Sequence, residues 1–103
     1  MKNYKLKFLK VKIKSLAAEQ GIIRLEKRRA IAAKQSDLVN ELQLHRVHAV
    51  RPEARCSLMA YGLLRGQSKE QIEPRAKSEP NMKRVKEMIK KYGTPEDWTQ
   101  FLK

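Results

Sequence analysis

Residues 55–92 constrain the fold more than any other part of the chain, because runs of helix-forming residues there alternate with residues that stop them. The run around Leu58, Met59, Ala60, Tyr61, Leu63 and Leu64 is followed by Gly66. Glycine enters the left-handed conformation without steric cost, so it is a natural helix terminator. Ser68 then opens a short helix that carries Ile72, and Gln71 three places on completes a capping-box pattern. Pro74 is expected to stop that helix, and 74–80 reads as a polar, basic connection. A last basic helix over 81–92 divides cleanly. Met82, Val85, Met88, Ile89 and Tyr92 share one face, and Lys83, Lys86, Glu87, Lys90 and Lys91 face away.

A leucine-rich helix, Gly66-x-Ser68-x-x-x-Ile72, then a basic helix resembles the helix-turn-helix of DNA-binding regulators, in particular the promoter-reading domain of sigma factors. In that architecture the second helix of the motif lies in the major groove. The resemblance therefore implies that 81–92 presents Lys83, Lys86 and Lys90 to DNA. Arg84 would reach a phosphate from the flank, and Arg65, Arg75 and Lys77 would surround the turn. The chain departs from the family in its connection, which exceeds the usual three or four residues and holds Pro74 and Pro80. Lysine also outnumbers arginine, asparagine and glutamine on the exposed face. Lysine binds phosphate more than it reads bases, so weak sequence specificity is expected.

Charge points to the same class of partner. The 103 residues hold 24 Lys plus Arg against 11 Asp plus Glu, a net +13. Such an excess favours a polyanion, of which nucleic acid, here DNA, is the leading candidate. An acidic protein partner is the alternative. Residues 1–35 hold eleven basic and two acidic side chains, including the Lys27, Arg28 and Arg29 cluster, a further expected nucleic-acid contact.

Within 1–14, lysine alternates with Leu6, Phe8, Val11 and Ile13, a period of two that reads as a strand. The alternation slips at Phe8-Leu9 and no turn residue separates it from the helical stretch that follows, which favours a helix. That helix would be apolar on two opposite sides, hence sandwiched, dimerised or bound to something. Residues 15–35 are rich in strong helix formers, with Gly21 as a place for a bend. Ser36 and Asp37 offer an N-cap for a helix over 38–50, and Arg51-Pro52 is expected to end or kink it. The next helix, 52–65, is apolar nearly all round and should sit centrally. At the end, Thr94-Pro95-Glu96-Asp97 is a second capping pattern, and Trp98, Phe101 and Leu102 should dock the terminus on the core.

Other chemistries find little support. His45, His48 and Cys56 are the soft ligand candidates, whereas a zinc site needs three or four with paired spacings. No phosphate loop, nucleophile elbow or clustered carboxylates are present, so no catalytic residue, metal or cofactor is expected. One cysteine excludes an internal disulfide. No apolar run approaches the ~20 residues of a membrane span, so a soluble, cytoplasmic protein is expected.

The fold expected is all-α: a helical bundle with a helix-turn-helix-like C-terminal half, segment 52–92 of a domain over 36–103, and a basic helical N-terminal arm over 1–35. The function expected is non-catalytic DNA binding through phosphate contacts. Residues 1–19 and 65–72 also resemble small basic proteins of microvirus-type single-stranded DNA phages. That resemblance implies a phage setting in a bacterial cytoplasm and carries over no functional residue.

Overall fold

The computed structural model describes residues 4–76 and 79–102, and among them every regular element is helical. The order is α1 (Lys5–Ala32), α2 (Ser36–His45), a π-turn (Arg46–Val50), α3 (Arg51–Leu64), α4 (Lys69–Ala76), α5 (Glu79–Tyr92) and α6 (Pro95–Phe101). The all-α class read from the sequence is the class observed.

The alternation at the N-terminus is overridden by helix. Leu6, Leu9 and Ile13 stand three and four residues apart, so a helix gathers them on one side, where a strand would split them. Leu9 is fully buried, and Leu6 and Ile13 pack against the same cluster. The first half of α1 thus shares its core with α3, α5 and α6. Gly21 does not interrupt the helix, which runs unbroken for 28 residues.

Residues 36–64 form one continuous helical path back along α1. Proline in a helix interior lacks an N–H and crowds the carbonyl four residues back. The sequence reading expected Arg51-Pro52 to end or kink the helix, and the helix does not end there. The helix widens instead: the Arg51 N–H reaches the Arg46 carbonyl, five residues back, in the turn just before the proline. Ser36 and Asp37 are also not the cap; the N-cap is Gln35, without a side-chain cap bond, and Asp37 lies in the first turn.

α3 is the central helix, but only on one side. Cys56, Ser57, Met59, Ala60 and Leu63 are buried, while Leu58 is 56% exposed. The helix ends where glycine predicts. The Gly66 N–H bonds the Leu63 carbonyl, the Gln67 N–H bonds the Gly62 carbonyl, and Gly66 has φ 111°. This is the Schellman arrangement. α1 ends with the same pair of bonds, Lys34 to Ile31 and Gln35 to Ala30, but with a lysine at φ 56° in the glycine position.

Pro74 does not stop α4, which continues to Ala76. Ile72, 1% exposed, anchors this helix against α3 and α5, and only its final turn follows the proline. Pro80 falls in the first turn of α5, where the missing N–H has no intrahelical partner to lose. α5 buries the face foreseen: Val85, Met88, Ile89 and Tyr92. Thr94 and Asp97 form the capping box at α6, Phe101 is buried, and the Trp98 Nε1–H donates to the Ile89 carbonyl at 3.2 Å.

The molecule is long for its size. Its radius of gyration is 16.2 Å, against about 13 Å for a round domain of this length. The main core lies at the end holding α4, α5 and α6. Toward the α1–α2 turn, Ile23, Ala30 and Val50 bury apart from that cluster.

Candidate nucleic-acid interface

The expected contact residues divide into those held by their own chain and those presented to solvent. On α5, Lys83 and Lys90 are exposed and Lys86 is half-buried, all opposite the buried face. Their three- and four-residue spacing stacks them over successive turns. Arg84 lies among them in sequence but is committed elsewhere. Its Nε donates to Glu53 Oε2 at 3.0 Å and Oε1 at 3.2 Å, a terminal nitrogen also bonds Glu53 Oε1, and the other reaches Glu87 Oε2 at 3.0 Å. Lys12 approaches the same Glu53 carboxylate at 2.6 Å. Glu53 therefore clasps α1, α3 and α5 together. The Arg84 hydrogen bonds lower its carboxyl pKa from 4.5 to about 2, with Lys12 adding to an effect that outweighs burial. The same bonds raise Arg84 further above its already high value.

Around the α3–α4 connection, Arg65 is exposed, lies over the Tyr61 ring at 5.7 Å and donates to the Tyr61 hydroxyl at 3.1 Å. Arg75 is exposed on α4. Lys77 lies outside the described residues. On α1, Lys27 is half-buried with its Nζ on Gln43 Oε1 at 2.8 Å, whereas Arg28 and Arg29 are exposed.

Helical geometry brings into one line residues that the sequence places in separate clusters. Lys7, Lys10, Lys14, Arg24 and Arg28 are all exposed. With Ala17 and Gly21 they occupy positions 7, 10, 14, 17, 21, 24 and 28, steps of three and four that trace one ridge along α1. No acid interrupts it. At 1.5 Å per residue the ridge extends about 32 Å, close to one turn of B-DNA. The signal was in the lysine spacing, but only a settled helix over the first fourteen residues turns it into a line.

Other groups are accounted for within the fold. His45 meets Glu19 at 3.3 Å, and His48 is exposed. Cys56 is buried, and burial pushes its thiol pKa up. Among the described residues, no three His, Cys, Asp or Glu side chains gather to hold a metal ion. Nor, among them, is any helix long and apolar enough to cross a membrane. An open hollow beside the α1–α2 turn is lined by Lys34, Gln35, Ser36, Asp37 and Leu38.

No protein-family model matches the chain, and no curated protein or solved structure is significantly similar to it.

Proposed function

We propose that this chain is a non-catalytic nucleic-acid-binding protein that engages DNA through phosphate contacts. The observation that carries the reading is the acid-free cationic ridge of α1, with exposed Lys7, Lys10, Lys14, Arg24 and Arg28. Phosphates repeat along a duplex over comparable distances, and releasing their counterions drives association. The exposed lysines of α5 supply a second contact face. In this reading α3, α4 and α5 take the helix-turn-helix roles, with α5 toward the groove. Arg84 drops out of the contact set, because Glu53 and Glu87 neutralise it. A phage protein acting in a bacterial cytoplasm is the setting proposed.

The test is the salt dependence of binding to duplex DNA. Each lost phosphate contact should lower the slope of log affinity against log salt by about 0.9. Replacing Lys7, Lys10 and Lys14 with glutamine should flatten that slope by about 2–3. Replacing Lys83, Lys86 and Lys90 with glutamate should weaken binding further while the melting transition stays near wild type. Absence of binding at ~50 mM salt would remove this reading in favour of an acidic protein partner, since electrostatic affinity for DNA is greatest at low salt.

A further inference from the structure

The outer side of α1 bears an apolar stripe that none of the described residues covers. Tyr4 is 76% exposed, Phe8 66%, Val11 58%, Ile22 56% and Leu25 48%. With exposed Ser15, Ala18 and Arg29 they occupy positions 4, 8, 11, 15, 18, 22, 25 and 29. The steps alternate strictly between four and three, an average of 3.5 residues. That is the period of a left-handed coiled coil, whose partner is another helix. The 28 residues of α1 supply the three to four heptads such pairing requires.

We infer that this stripe pairs α1 with α1 of a second copy, antiparallel, about a two-fold axis near residues 16 and 17. The stripe is its own complement when reversed about that midpoint. Phe8 meets Leu25 of the second copy, Val11 meets Ile22, and small Ser15 meets small Ala18. At each end the Tyr4 ring meets the Arg29 guanidinium, a pair that stacks favourably. A two-fold interface demands this matching of a surface with itself, and an unrelated partner does not. The small residues at the centre let the backbones approach closely. A flat lipid surface would instead favour a 3.6-residue period with bulky side chains in the middle.

Charge gives the pairing a signature of its own. Glu26 of one copy comes beside the lysine-bearing first turn of the other, but Lys7 comes beside Arg28, and each copy carries +13. Net repulsion is screened by salt, so the dimer strengthens as salt rises. Nucleic-acid binding weakens under the same change. The inference is independent of the proposed function, and either can fail alone.

The test is the molar mass of the full chain by sedimentation equilibrium, in low and high salt, free of nucleic acid. A dimer is expected that tightens with salt. Val11→Glu combined with Leu25→Glu should raise the dissociation constant by roughly a hundredfold or more, since each charge would be buried in the seam. Both positions are exposed in the single chain, so the helical circular-dichroism signal at low concentration should not change. Ser15→Cys with Ala18→Cys should oxidise to a cross-linked dimer, and Phe8→Cys alone should not; Cys56, 2% exposed, stays out of the reaction. A wild-type chain still monomeric at ~200 μM in both salts overturns the inference. So does a dimer unaffected by the double glutamate variant, or cross-linking through Phe8→Cys alone. A monomer that binds phosphatidylglycerol vesicles through this stripe overturns it in favour of a membrane surface.

Discussion

Glu53→Gln tests whether one carboxylate holds three helices together. The substitution keeps the side-chain shape and removes its charge, leaving Arg84 and Lys12 facing a neutral amide. Lowering the Glu53 pKa from 4.5 to about 2 corresponds at face value to about 3 kcal/mol of linkage. The side chains of Glu53 and Arg84 are 26% and 41% exposed, so solvent screens the pair and about 1–2 kcal/mol is expected. For a chain of this size that lowers Tm by roughly 5–15 °C near neutral pH. The sign with pH follows from the lowered pKa. The stabilisation is complete above the unfolded-state value of 4.5 and disappears as pH falls toward 2. Thermal melts by circular dichroism, on wild type and Glu53→Gln from neutral to acidic pH, should show a gap that closes between about pH 5 and pH 2. Equal melting near neutrality would mean that the clasp contributes nothing to stability. A gap that persists to about pH 2 would mean that it does not act through the carboxylate charge.

Two further substitutions probe the backbone and the core. Lys34→Gly should stabilise the protein by about 0.5–1 kcal/mol in a denaturant titration, because a side chain in the left-handed conformation costs more than the added flexibility of glycine; a loss of stability would show that Lys34 does not hold this conformation in solution. Leu63→Asp places an unpaired charge at a site 3% exposed, a cost of several kcal/mol that rivals the stability of the whole domain, so the cooperative melt should vanish. A near-normal transition would show that α3 is not central.

What the sequence determined by itself is what short-range physics controls. Gly66 ends α3, Thr94 and Asp97 cap α6, and the spacing of Val85, Met88, Ile89 and Tyr92 names the buried face of α5, because caps and helical periodicity are settled within about four residues. The net positive charge and the exposed side of α5 were legible for the same reason. The tertiary structure decided whatever depends on partners far along the chain. Leu9 turns a strand-like alternation into helix because a core waits for it under α3 and α5. Ile72 holds α4 in place beyond the stop signal of Pro74, and the π-turn keeps the path helical at Pro52. Lys34 takes a glycine conformation that nothing in its type announces. Arg84 and Lys12 are 31 and 41 residues from Glu53, so only packing could bring them to its carboxylate. The ridge and the apolar stripe of α1 lie in between: their spacing is written in the sequence, but they become faces only when the chain is one unbroken helix with a single side covered.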